Sequence, residues 1–148
     1  MKIEDAIKQP VFRDVHQKAL INLVYTTGWV QQRNANQFKD FGITLPQFNI
    51  LRILRGQHPK PATVNLLIER MLDKTSNASR IVDKLELKKL VTRTVCPSNR
   101  RAVDICITEA GLDLLSKIDK VIDLNPVLSN LTEAEATLLS DLLDKIRD

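Results

Sequence analysis

One short region of strand-like alternation, set in a chain patterned for helices, most constrains the fold. Side chains of alternating character occupy 91–95 (VTRTV) and again 103–107 (VDICI). Between these two runs lie Pro97, Ser98 and Asn99, which are residues that favour a turn. The spacing therefore predicts a single β-hairpin with its tip near Asn99.

The segment before this hairpin predicts two short helices joined by a tight turn. Residues 76–89 place apolar side chains at i, i+3, i+4 and i+7, which gives one narrow stripe made of Ala78, Ile81, Val82 and Leu85. A polar turn at 72–75 separates this helix from a helix predicted over 63–71, in which Leu66, Leu67 and Ile68 are expected to point inward. Helix, turn, helix and hairpin in this order predict a winged helix-turn-helix, with the second helix in a major groove and the hairpin as the wing.

The flanking segments are patterned for further helices. A long helix is predicted from about Val11 to Phe38, with Gly28 marking a bend or a close contact. Capping boxes at Thr44 and Thr132 predict two more helix starts, and Thr108 is expected to cap the helix after the hairpin. We expect a mostly α (α+β) fold in which terminal helices flank a winged core.

Length and composition exclude several classes. At 148 residues the chain is long enough for one domain, 1–148, with its own core. Since no apolar run approaches membrane-spanning length and the N-terminus does not resemble a signal peptide, we expect a cytoplasmic protein without membrane contact. We find no catalytic set, no phosphate-cradling glycine loop and no metal-ligand spacing around His16 and His58, so we expect neither an enzyme nor a cofactor or metal site.

The charge is divided unevenly along the chain. The net charge of +4 combines +5 over 1–65, +5 over 66–101 and −6 over 102–148. Such a division is typical of a protein in which one part meets a polyanion.

The outward face of the 76–89 helix is suited to DNA. Its residues are short hydrogen-bonding groups and long cations, namely Ser76, Asn77, Ser79, Arg80 and Lys84. An arginine can contact guanine O6 and N7 or a phosphate, and the helix N-terminus offers free N–H groups to a phosphate. We expect Asp83, three residues after Arg80, to orient that arginine.

The hairpin tip carries two adjacent arginines, Arg100 and Arg101, with no carboxylate between Val95 and Ala102. Unpaired cations contribute little to an isolated fold but fit phosphates or a narrow minor groove. Lys88 and Arg93 extend the same basic strip, and we expect phosphate contacts from them. The alternative is a winged-helix interaction module whose basic face docks an acidic partner protein.

The run MLDKTSNASRIVDKLELKKLVTR, followed by PSNRRAVDICITEAG, resembles the winged-helix core of the MarR family of bacterial transcription regulators. The most specific part is Ile-Thr-x-x-Gly at 107–111 after the wing. The resemblance implies a homodimer that binds palindromic operator DNA, usually as a repressor, and is often released by a small ligand or an oxidant. It also implies a DNA-binding core at 44–108 and dimerisation helices at 1–40 and 109–148.

Two further assignments follow from the resemblance. Arg101 matches the wing arginine that enters the minor groove in the family, and Asn99 stands where the family usually has an aspartate. Relatives that sense small aromatic acids bind them between the dimerisation helices and the winged core, where Tyr25, Trp29 and Phe48 are the aromatic candidates in this chain.

Overall fold

The structure is a computed structural model that describes residues 1–96, 99–122 and 127–148, without the side chains of 96 and 99–101. Its helices are α1 (Ile3–Ile7), α2 (Val15–Lys39), α3 (Leu45–Gln57), α4 (Val64–Arg70), α5 (Ala78–Leu87), α6 (Glu109–Val121) and α7 (Glu133–Arg147). Its strands are β1 (Ala62–Thr63), β2 (Val91–Cys96) and β3 (Asn99–Ile107). Helices with one small sheet confirm the predicted fold class.

The described residues form two compact units, Met1–Gln37 and Phe38–Asp148. In the first unit, α2 begins later than predicted because Asp14 Oδ1 accepts the backbone N–H of Gln17 at 2.8 Å, as a capping side chain does. This hydrogen bond, with the guanidinium of Arg13, lowers the pKa of Asp14. Helix α2 runs without a break through Gly28, and an added Cβ there would meet no atom of the described residues within 4 Å, so these residues make no close contact at this glycine. The predicted bend stays a prediction.

The second unit is built around one aliphatic core. Its fully buried side chains come from the end of α2, four further helices and the sheet, and they include Phe38, Ile50, Leu51, Leu54, Leu67, Val82, Leu85, Val91, Ile105, Leu115 and Ile118. The stripe predicted on the helix before the hairpin is confirmed, because Ala78, Val82 and Leu85 are buried and Ile81 packs against the core. Ile68 was predicted to point inward, but it is exposed because the buried position of its short helix is Leu67.

The sheet is antiparallel with the strand order β1-β3-β2. In the hairpin, Val91 pairs with Ile107 and Val95 with Val103, which confirms the predicted alternation. The two-residue strand β1 was not predicted; its Ala62 pairs with Ile105 on the other edge of β3.

The helix starts are those that the capping residues predict. The Thr44 and Thr132 side chains form complete capping boxes with Gln47 and Glu135. Thr108 caps α6 by accepting the backbone N–H of Gly111 at 3.1 Å, and its hydroxyl donates to the Lys89 carbonyl at 2.8 Å. The Thr-x-x-Gly spacing at 108–111 therefore ties the residues after α5 to the start of α6.

Candidate nucleic-acid interface

Helices α4 and α5 form the helix-turn-helix, and each begins at a capping side chain. Thr63 accepts the backbone N–H of Leu66 at 3.2 Å, and Asn77 accepts that of Arg80 at 3.1 Å. The buried stripe of α5 leaves its opposite face to solvent. Asn77, one of the predicted groove residues, thus uses its side-chain oxygen to start the recognition helix.

The turn before α5 is organised by Asp73. Its Oδ1 accepts the backbone N–H of Thr75 at 2.9 Å and the Thr75 hydroxyl at 2.6 Å, and its Oδ2 accepts the Ser76 hydroxyl at 2.6 Å. These bonds, from the Ser76 hydroxyl first and then from Thr75, lower the pKa of Asp73 from 3.8 to about 2. Since hydrogen bonds to a carboxylate favour its charged form, the turn is stabilised by an ionised Asp73.

Two more side chains fix this turn to the neighbouring helices. The Leu72 N–H donates to Asn49 Oδ1 of α3 at 2.9 Å. The Lys74 ammonium donates to the Ile68 and Glu69 carbonyls near the end of α4, at 2.9 and 2.5 Å. Polar groups of the turn are thereby satisfied within the chain, and the entry to α5 is held from both sides.

The outward face of α5 presents the groups expected to meet a groove. Ser79, Arg80 and Lys84 are exposed, and Ser76 is half-buried at the helix start. Within the residues that the structure describes, the Arg80 guanidinium and the Lys84 ammonium have no polar partner. The prediction that Asp83 orients Arg80 is wrong, because the carboxylate of Asp83 accepts a hydrogen bond from Arg93 instead. The two cations are free to meet an anion.

Arg93 and Lys88 have partners inside the chain. Arg93 Nη2 donates to Asp83 Oδ1 at 2.5 Å, which joins β2 to α5. The Lys88 ammonium donates to the Gly42 carbonyl and lies 3.4 Å from Oε1 of Gln47. Gln47 is a buried residue, with 4% of its surface exposed. Unlike Arg80 and Lys84, these two cations, which were predicted to contact phosphates, are already paired within the chain.

The wing is the β2–β3 hairpin that follows α5. Arg100 and Arg101 belong to β3, but their side chains lie outside the described residues, as does the side chain of Asn99. The backbone of the hairpin is paired up to Cys96 and Asn99, with an irregularity between Val95 and Cys96. The assignment of the two arginines to a minor groove stays a prediction.

The aromatic residues proposed for a ligand belong to different units. Tyr25 and Trp29 lie on the part of α2 in the first unit, where both are exposed and Trp29 contacts the Arg33 guanidinium. Phe48 of the second unit is buried, with its ring centroid 4.5 Å from that of Phe38. Their assignment to a ligand site also stays a prediction.

None of the helices in 1–96, 99–122 and 127–148 is long and apolar enough to cross a membrane. Over the same residues, no three histidine, cysteine or acidic side chains are grouped so that they could hold a metal ion.

Sequence reasoning missed the acidic side of this surface. Asp83 was expected to orient Arg80, and no role was predicted for the side chains of Asp73 and Glu86. In the structure, Asp73 builds the turn and the other two acids face Arg93. One signal was available for Asp73, because an aspartate followed two and three residues later by hydroxyl side chains favours a capped turn. The partner of Arg93 had no comparable local signal.

A helix-turn-helix with a free cationic face, followed by a β-hairpin wing, defines a winged helix-turn-helix DNA-binding protein. A family model described as "MarR family" matches residues 41–102, which span the whole helix-turn-helix and most of the wing. Over these residues, the chain is similar to the MarR family of transcription regulators.

Individual relatives agree with this assignment. The chain is 28% identical over 107 residues to the HTH-type transcriptional regulator MhqR of Bacillus subtilis, an alignment that covers 71% of this chain and 72% of that protein. It is 29% identical to a MarR transcription factor of Planctomyces limnophilus, whose crystal structure matches with a TM-score of 0.69 over 90% of this chain and 98% of that one. The fold is also that of MepR from S. aureus in a DNA complex, with a TM-score of 0.72, 24% identity and coverage of 86% and 93%.

Proposed function

We propose that the protein is a homodimeric repressor that binds a palindromic operator and is released by a small ligand. Each subunit places α5 in a major groove, where Ser76, Asn77, Ser79 and Arg80 read base edges and Lys84 meets a phosphate. The wing arginines, Arg100 and Arg101, hold the adjacent minor groove. Two recognition helices related by a two-fold axis then lie about 34 Å apart, one turn of the duplex.

The observation that carries this proposal is the free cationic face of α5. Arg80 and Lys84 lie on the exposed face of α5, opposite its buried face. Among the described residues they form no ion pair, so their charges do not stabilise the fold. The region 66–101 has a net charge of +5, and the helix N-terminus adds a positive dipole end. DNA supplies the negative charge that these groups lack.

Helix α7 supports the homodimer. It has no buried residue in the described chain, and Leu138, Leu142 and Ile146 are 57%, 50% and 67% exposed on positions four residues apart. An apolar stripe of this kind is unfavourable in water and is typical of a protein interface. A second copy of the same helix offers a surface of matching chemistry.

The first unit exposes two aromatic side chains to solvent. Tyr25 and Trp29 expose aromatic surface, which suits a small aromatic molecule. Phe48 belongs to the second unit and is buried in the core of that unit, so it exposes no comparable aromatic surface. Replacing Trp29 by alanine is expected to reduce the ability of an inducing ligand to release the protein from DNA, without weakening DNA binding itself.

Selection from random duplex DNA tests the proposal. The purified chain is expected to enrich an inverted repeat whose half-sites are about 10 base pairs apart. Binding to that repeat is expected to fall about a thousandfold or more between 50 and 200 mM salt, as for a protein that neutralises six to ten phosphates. Failure to enrich any repeat would favour the interaction module, whose basic face docks an acidic protein.

A further inference from the structure

Arg93 connects the wing to the recognition helix through two carboxylates. Its Nη2 donates to Asp83 Oδ1 at 2.5 Å, and its Nε lies 3.8 Å from Glu86 Oε2. Asp83 and Glu86 lie three residues apart on α5, on one side of the helix. One planar guanidinium on β2 therefore faces two acids on α5.

The environment of this group is more restrictive than that of an ordinary surface ion pair. The Arg93 side chain is 30% exposed, and its Nε is buried with no hydrogen-bond partner among the described residues. In β2, Arg93 follows the fully buried Val91 by two residues, so both side chains point to the same face of the sheet. That face is the one that packs on α5.

We infer that Arg93 is a positioning residue, which fixes the direction of the wing relative to α5 by holding Asp83 and Glu86, and that it does not contact a DNA phosphate. The inference rests on the proposed function, since the wing and α5 must reach one duplex together. A guanidinium suits this task because its fork constrains direction as well as distance.

Electrostatics argues against the alternative of a phosphate contact. To reach a phosphate, Arg93 would have to leave Asp83, and the two acids of α5 would then stand unpaired beside DNA. With Arg93 in place, its positive charge offsets one of the two negative charges that Asp83 and Glu86 carry on α5. The ion pair thus orients the wing and lowers the repulsion between these acids and DNA.

The substitution Asp83→Asn separates the two roles because they predict opposite signs. If Arg93 contacts a phosphate, removing an acid from the DNA-facing helix frees the arginine and tightens binding. If Arg93 is a positioning residue, the wing loses its anchor and affinity for the selected duplex falls by about tenfold, the size that coupling between contacting residues reaches. Titration of that duplex with the full chain measures the difference.

Arg93→Ala is expected to weaken binding to a similar extent with an unchanged salt slope, whereas a lost phosphate contact lowers the slope by about one per site. Arg55→Ala is the matched control, because Arg55 forms an ion pair with Asp119 at 2.6 Å. The side chains of this pair are 32% and 50% exposed, close to the 30% and 55% of Arg93 and Asp83. The control substitution removes the same charge from an ion pair between α3 and α6.

Amide hydrogen exchange provides a readout that needs no DNA. We expect faster exchange in β2 and β3 of Asp83→Asn and Arg93→Ala, and wild-type exchange there in Arg55→Ala. Unchanged exchange, or tighter binding by Asp83→Asn, overturns the inference while leaving the proposed function intact. If the wild-type chain selects no duplex, the proposed function fails and the exchange result alone decides the role of Arg93.

Discussion

Gly111 of α6 lies directly against the backbone of Leu90. A Cβ added at Gly111 would stand 2.5 Å from the Leu90 carbonyl oxygen and 2.6 Å from Ile107 Cγ1. The glycine of the Thr-x-x-Gly pattern is therefore required by close packing between α6 and the chain at both ends of the wing. Its φ angle plays no part, because Gly111 is an ordinary helical residue.

This contact predicts that Gly111→Ala destabilises the fold. The backbone oxygen cannot move aside as a flexible side chain can, so we expect a loss of about 1–3 kcal/mol in the free energy of unfolding. Urea denaturation measures it. Gly28→Ala is the control, since nothing lies within 4 Å of its added Cβ in the described chain and the change is expected to stabilise α2 by about 0.5–1 kcal/mol. Equal effects of the two substitutions would contradict the account.

Lys89 lies two residues after the last residue of α5 and has a φ of 59°, in the left-handed region. A side chain there is strained by about 1 kcal/mol, and glycine is free of that strain. We expect Lys89→Gly to raise the free energy of unfolding by about 1 kcal/mol, measured by the same denaturation. Lys89→Ala removes the charge but keeps the strain; if it stabilises the chain as much as the glycine does, the backbone explanation fails.

Asp73 predicts a particular dependence of stability on pH. Its folded-state pKa, about 2, is below the ordinary value of 3.8, so its contribution is complete above 3.8 and is lost as the pH falls toward 2. Asp73→Asn is therefore expected to be less stable than the wild type at neutral pH and to approach it at pH 2. Denaturation curves across this range check the prediction, and a constant difference at all pH values would refute it.

Arg80 predicts an effect on the salt dependence of DNA binding. If its free guanidinium meets DNA at each half-site, Arg80→Ala is expected to weaken binding, and a phosphate contact lowers the slope of log affinity against log salt by about one per half-site. A guanine contact instead costs about 1–3 kcal/mol at one base position and leaves the slope unchanged. Arg55→Ala removes the same charge from the ion pair between α3 and α6, away from α5 and α7, and is expected to change neither quantity.

Local patterns of the sequence were sufficient for much of the fold. The stripe of α5, the capping boxes and the alternation in 91–107 are short-range signals, and each is present in the structure. Strand β1 could not be predicted from two residues, because it exists only through its pairing with β3. The exposure of Ile68 likewise depends on which face of a seven-residue helix meets the core.

The sequence predicted the types of residue in the candidate site better than it predicted which of these side chains pair with one another. Asp83 is within reach of Arg80 along the helix and of Arg93 across to the sheet, and only the three-dimensional fold decides for Arg93. The bond from Lys88 to Gly42 joins residues that are 46 positions apart, which no helical spacing reveals. Sequence alone therefore did not reveal the partners that Lys88 and Arg93 have within the chain.

The number of chains on one selected duplex, measured by sedimentation at equilibrium with an unrelated duplex as competitor, tests the central claim most directly. We predict two chains per duplex and a preference of about a thousandfold or more over the competitor. One chain per duplex, or equal affinity for both sequences, would contradict the account.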